Sequence, residues 1–225
     1  MSIVKIDKNF GGTNLMIKKR ISKRIISCFM LCALMISSIM GFAITSNAAS
    51  ENNGKVYYVG TPQELHDAAI STNDGDCIVF TNDIVCYESR YVHKNITIDF
   101  NNHSLKFRYK SRGLCIDASW EVTLKNGAIY GANDSDSAVR IIGGNLNLQC
   151  MQIYGGDCKW GDYHKGNGIY SWSMFSKIRM KGCYVKGGDG YKKHDSNDNR
   201  TGKAIYGGKV IKEGMGYIAV DGICK

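Results

Sequence analysis

Five apolar-x-apolar pairs punctuate this chain, each followed by a polar turn: Ile96-x-Ile98, Val122-x-Leu124, Leu146-x-Leu148, Ile178-x-Met180 and Ile218-x-Val220. Their first members stand 26, 24, 32 and 40 residues apart. Three of them open a longer phrase: Val122-x-Leu124-x-Asn126-x-x-Ile129, Leu146-x-Leu148-x-Cys150-x-x-Ile153 and Ile178-x-Met180-x-Gly182-x-x-Val185. A second set of short segments precedes four of the pairs: Leu114-x-Ile116, Val139-x-Ile141, Ile169-Tyr170 and Ala204-Ile205-Tyr206. Alternation over so few residues marks strands buried on one side. A unit of roughly 25 residues with two short strands cannot close a core alone, so each unit must cover the next. The repeat predicts an all-β fold, a right-handed parallel β-helix, because parallel crossovers are right-handed almost without exception. An antiparallel sandwich is the weaker competitor, since it does not require units that repeat one phrase.

A single segment reads as a helix. Thr61 suits an N-cap, Pro62 (the only proline) suits the first helical position, and Glu64 can reach back to the cap. Leu65, Ala68 and Ala69 then share one face, so a helix is expected over about 62–71. It would cover the open end of the first coil, where a bare strand edge recruits other chains. No matching cap follows the last strand phrase before Cys224-Lys225, and end-to-end self-association is the expected consequence. His66 on the helix and His103, read as standing in for an apolar column residue, are expected to be structural.

Residues 1–48 read as a signal peptide, with translation starting at Met1 or at Met16. Lys18, Lys19, Arg20, Lys23 and Arg24 precede an apolar run from Ile25 to about Ile44, and Ser46-Asn47-Ala48-Ala49 supplies a small-residue exit. The run is also long enough to span a membrane, the competing reading. With cleavage, residues 49–225 form the exported β-helix domain, extracellular or on the cell surface, with no stable membrane anchor. Of the 29 lysines and arginines, 7 lie before residue 49, as does 1 of the 20 acids, so the remainder carries only +3. That balance argues against nucleic acid as a partner. Seven cysteines remain, an odd number, and no Cys-x-x-Cys occurs among them, which argues against a zinc knuckle. Cys150 and Cys183 fall one place apart in neighbouring units and are candidates for a disulfide or for stacked thiols.

Residues 154–203 form the richest surface, with 8 of the chain's 23 aromatic residues among mixed acids and bases. Trp160, Tyr163, Trp172 and Tyr191 are the candidate ligand-binding rings. Proton abstraction from a uronate would need a base near a cation, and His164-Lys165 beside Asp157 offers one. Asp157 and Asp189 follow Gly155-Gly156 and Gly187-Gly188 in neighbouring units, so stacking could pair them as a hydrolase needs. Asp195, Asn197 and Asp198 begin like a calcium loop. Arg200 replaces the turn glycine and Tyr206 the bidentate glutamate, so solvated loop acids are the plainer reading. No cofactor is required by the pattern, and calcium at an irregular site between coils is the alternative.

Thr61-Pro62-Gln63-Glu64-Leu65, Ile96-Thr97-Ile98-Asp99 with Asn102-His103-Ser104-Leu105, and Val122-Thr123-Leu124-Lys125-Asn126-Gly127 carry a resemblance. With them the chain resembles the pectate-lyase-like right-handed β-helix superfamily, closest to adhesive-type domains of secreted Gram-positive proteins, over about Val56 to Cys224. The catalytic Arg-x-Pro-x-x-Arg pattern of secreted pectate lyases is absent, as is an Asp-His step after a Trp. The resemblance therefore implies a non-catalytic adhesive module contacting glycan or matrix. A polysaccharide lyase or related carbohydrate-active enzyme is the alternative.

Overall fold

The computed structural model describes residues 54–109, 111–158, 166–190, 201–214 and 218–223. In chain order these hold β1 (Val56–Val59), α1 (Pro62–Ser71), β2 (Cys77–Phe80), β3 (Ile84–Cys86), β4 (Arg90–Val92), β5 (Thr97–Asp99) and β6 (Ser104–Phe107). The long β7 (Leu114–Tyr130) and β8 (Ser137–Tyr154) follow, then β9 (Asn167–Ser171), β10 (Lys177–Lys181), β11 (Tyr184–Lys186), β12 (Ile205–Tyr206), β13 (Lys209–Lys212) and β14 (Ile218–Val220). Among the described residues no helix is long and apolar enough to cross a membrane.

Every strand pairing among the described residues is parallel, which removes the antiparallel sandwich. The pairings fall into three ladders. The first runs β1-β2-β5-β7-β8-β10-β13, the second β3-β6-β7-β8-β11-β14, and the third β4-β7-β8-β9-β12. β7 and β8 are long because each passes through all three ladders. Along the first ladder Ile78, Ile98, Leu124, Leu148 and Met180 stand in register. Along the second, Ile84, Leu105, Ile129, Ile153 and Val185 do so. Along the third, Leu114, Val139 and Ile169 do so. All thirteen are buried in one apolar core. Burial of such a side chain is worth roughly 1.5–3 kcal/mol, so the columns supply the drive that short strands lack individually.

The helix starts and stops where the sequence places it. Thr61 Oγ1 accepts the Glu64 N–H, and Glu64 Oε2 accepts the N–H groups of Gly60 and Thr61. Those donors hold the Glu64 carboxyl below its ordinary pKa. Leu65 and Ala68 join the same core as the strand columns.

The fifth apolar pair does not belong to the first ladder. β14 pairs with β11, so Ala219 stands over Val185. The place above Ile178 and Met180 is taken by Val210 and Lys212 of β13. The cause is the Gly207-Gly208 turn, where both residues take a positive φ. It closes the corner in two residues, and the Lys209 N–H reaches the Ser176 carbonyl at 2.7 Å. With Val210 in place of Ile218, the last interval along the ladder repeats the 32-residue step before it. His103 is also outside the columns. Leu105 fills that position, while His103 sits in the preceding turn with Nδ1 3.7 Å from Asp83.

Candidate functional site

The side chains between the buried positions point outward, and on the third ladder they form one file: Tyr91, Cys115, Arg140, Tyr170 and Tyr206. Neighbouring strands in a sheet lie about 4.8 Å apart, so stacked side chains in such a file touch. The Tyr170 and Tyr206 rings stack with centroids 5.4 Å apart and planes 7° apart. Trp172 meets the Tyr170 ring edge-on at 6.4 Å. The Arg140 guanidinium lies 5.5 Å from the Tyr170 ring centre and 5.7 Å from that of Trp172, within cation–π range.

Tyr91, Arg112, Cys115, Arg140, Ile142 and Trp172 line an open pocket of about 190 Å³ on this face. Asp136 anchors both cations: Arg140 Nη1 donates to its Oδ2 at 2.7 Å, and Arg112 Nε lies 4.0 Å away. Two guanidiniums sharing one carboxylate leave a surplus positive charge. Arg140 Nε is buried and has no hydrogen-bond partner among the described residues. Burial pushes the Cys115 thiol at the base of the pocket up to about 11, against the opposing pull of Arg140 and Arg112. That thiol is therefore a packing group at neutral pH.

Of the sequence candidates, Trp172 stands in this site, 67 % exposed. Asp157 and Asp189 do become neighbours, and both are engaged by the backbone. Asn133 Oδ1 accepts the Asp157 N–H at 3.1 Å, Asp157 Oδ1 accepts the Asp189 N–H at 3.0 Å, and Asp189 Oδ1 accepts the Ile223 N–H at 3.2 Å. Lys186 Nζ lies 3.2 Å from the same Asp189 oxygen. Carboxylates stacked in this way satisfy turn N–H groups that the ladders leave over. Trp160, Tyr163, His164, Lys165, Tyr191, Asp195, Asn197 and Asp198 lie outside the described residues. Among the described residues no group of three or more His, Cys, Asp or Glu could hold a metal ion. Cys150 and Cys183 are both free thiols, the first exposed and the second buried, and burial raises the Cys183 pKa.

Tyr91, Arg112 and Arg140 were not among the sequence candidates. The signal for one of them was present: Arg140 occupies the middle position of the triplet Val139-Arg140-Ile141, whose outer members are columnar, whereas Tyr91 follows Arg90, which breaks the apolar alternation. Reading the outward file, rather than local aromatic density, isolates Arg140. No family model, no curated protein and no solved structure matches this chain.

Proposed function

We propose that this chain is an exported right-handed parallel β-helix of the pectate-lyase-like kind, acting as a non-catalytic adhesive module that binds an acidic glycan. The winding is supported by three wholly parallel ladders visited in the fixed order third, first, second, with β7 and β8 each running through all three. Such connections are right-handed in nearly all proteins. The observation that carries the function is the pocket on the third ladder, where Arg112 and Arg140 stand beside the rings of Tyr91 and Trp172. Guanidinium forks pair with carboxylate or sulfate in a fixed geometry, and flat rings take the apolar face of a sugar. Ligand binding on an outward file leaves the core untouched, so the face can be altered without unfolding the chain.

The test is a glycan array followed by titration with the acidic polysaccharides retained. Arg140→Ala and Trp172→Ala should each weaken binding about tenfold or more, in line with loss of a charge-assisted contact. Far-ultraviolet circular dichroism should stay unchanged. Retention of no acidic glycan, or equal affinity in both variants, removes this reading. Release of unsaturated product from the same polysaccharides would install the lyase alternative in its place.

A further inference from the structure

The second ladder has outward files of its own. Ser104, Ala128, Gln152 and Tyr184 stand in register along one, and Lys106, Tyr130, Tyr154 and Lys186 along the other. The two files differ in height. The Tyr130 and Tyr154 rings stack with centroids 5.0 Å apart and planes 5° apart, and Lys106 Nζ lies 5.4 Å from the Tyr130 ring centre. In the other file Ala128 brings only a methyl group, and Gly127 before it brings nothing. Packing requires that glycine, since a Cβ there would collide with Phe100 Cβ and the His103 carbonyl. Asn102 and His103 line the far side from one coil, and Cys150 from the coil after next. The result is an open trough of about 380 Å³, with Gly127 and Ala128 as its floor and Gln152 at one end.

The lining is polar, and its charges cancel. Asp83 Oδ1 accepts the Ser104 N–H at 2.8 Å and lies 3.7 Å from His103 Nδ1. Ser104, ahead of Lys106 and His103, holds the Asp83 carboxyl below its ordinary pKa. One carboxylate and one ammonium offset each other, so at about pH 7.5, above the ordinary imidazole range, the lining sums to zero. Tyr154 Oη donates to Gln152 Oε1 at 3.0 Å, which leaves the Gln152 N–H groups to donate. Tyr130, held between Lys106 and Tyr154, meets the trough with its edge and hydroxyl. These features exclude three classes of occupant. β6, β7 and β8 are hydrogen-bonded on both sides, so no edge is open to an extended peptide. A polyanion needs a surplus of cations, and an amphipathic helix needs an apolar groove. A neutral saccharide fits, because its hydroxyls both donate and accept, as the groups of Asn102, His103, Gln152 and Tyr130 do. The volume lies in the range of small-ligand pockets, about 300–1,000 Å³.

We infer that this trough is a second carbohydrate site, one that takes an uncharged sugar unit of a polysaccharide. The sugar lies over Ala128, Asn102, His103 and Gln152 bond its hydroxyls, and Tyr130 closes one side. The trough shares no residue with the pocket of Arg112 and Arg140, and its ligand differs in charge from the one proposed there. It stands or falls independently of the acidic-glycan reading.

The test is isothermal titration of the full chain, at about pH 7.5, with mixed-linkage β-glucan, galactomannan and dextran as neutral probes. At least one should bind. Gln152→Ala should raise its Kd about fivefold, the loss of one neutral hydrogen bond. Ala128→Phe fills the floor from an outward strand position and should abolish binding, with far-ultraviolet circular dichroism unchanged. Between about 50 and 500 mM sodium chloride the Kd should move by less than about twofold, since no ion pair forms. Polygalacturonate added beforehand should not compete. Cys150, exposed on the rim, gives a local readout: bound saccharide should slow its alkylation by iodoacetamide, followed by peptide mass. Binding of none of the probes, or a Kd that both variants leave unchanged, overturns the proposal. So does alkylation of Cys150 at the same rate with saccharide bound. Competition by polygalacturonate, or a Kd that rises steeply with salt, overturns its commitment to an uncharged ligand.

Discussion

Between the first and second ladders the chain turns through Asn126, Cys150 and Gly182, at the same place in each repeat and with φ of 59°, 53° and 63°. Between the third and first ladders it turns through segments as short as Gly207-Gly208 and as long as 172–176, and the positive φ that ends two of these turns, at Gly144 and Gly208, has no counterpart at Trp120 or Ser176. The first corner is a left-handed slot one residue wide, and its shape chooses the residue: asparagine and glycine enter that region at low cost, others at about 1–2 kcal/mol. The second corner sets only its exit. Asn95 Oδ1 accepts the N–H groups of Trp120 and Glu121, Asn145 Oδ1 accepts that of Lys177, and the Ser176 carbonyl accepts that of Lys209, so three of these turns are brought back into register by an oxygen of the preceding coil. A corner fixed at one point tolerates variation in the rest. That is where this chain places its exposed Trp, Met and Phe residues.

The comparison predicts a graded response. The largest effect belongs to the columns that both corners serve. Leu124→Ala, at a fully buried position between Ile98 and Leu148, should cost about 2–5 kcal/mol in chemical denaturation, because the registered neighbours cannot close the cavity. Next comes the tight corner. Asn126 donates from Nδ2 to Asp99 Oδ1 at 3.1 Å while holding the left-handed conformation, so Asn126→Ala should cost about 1–3 kcal/mol. Asp99 gives this corner a pH signature. Burial raises its pKa, but the Asn101 N–H, Asn126 and Lys125 together outweigh that and hold it below the ordinary value. A carboxyl with a depressed folded pKa contributes stability above its unfolded pKa, near 3.9, and that contribution is lost as pH falls through the folded value. The Asn126→Ala cost should therefore shrink in urea melts below about pH 4.

A gain is expected where the slot holds the wrong residue. Cys150 sits at φ 53° in a place its repeats give to asparagine and glycine. Cys150→Gly should raise the melting temperature by about 2–4 °C, the equivalent of roughly 1 kcal/mol in a domain of this size. A fall would mean that the Cys150 thiol makes a contact worth more than the backbone strain.

How much of this was legible follows from what sets each feature. The helix over 62–71 and the columns through Leu124, Leu148 and Met180 were readable because capping and alternation act within a few residues. The second-ladder column through Ile129, Ile153 and Val185 was readable from the same phrase. The assignment of Ile218-x-Val220 failed for a local reason too: Gly207-Gly208 shortens a corner, and counting by apolar pairs cannot see a turn that drops out. Asp157 and Asp189 were correctly read as neighbours, but only hydrogen-bond geometry reveals that each accepts a backbone N–H from the next turn. The arginine pair escaped because Arg112 and Arg140 are 28 residues apart and owe their meeting to ladder register.

The smallest effect on stability should come from the open corner, and that smallness is itself diagnostic. Met174 and Phe175 bury almost nothing, and the hydrogen bonds that pin their turn run through Ser171, Ser173 and main-chain atoms. Met174→Ser/Phe175→Ser should therefore change the unfolding free energy by no more than about 0.5 kcal/mol, as for surface positions without a structural role. The melting temperature and the denaturant midpoint both check this. A loss several times larger would mean that the side chains pack against a neighbouring part of the fold, and the open corner would then be a second core rather than an exposed edge. An unchanged midpoint leaves the two corners separated by what they constrain: one sets the backbone shape of every repeat, and the other, returned to register by an acceptor oxygen of the preceding coil, leaves its remaining residues free of the core.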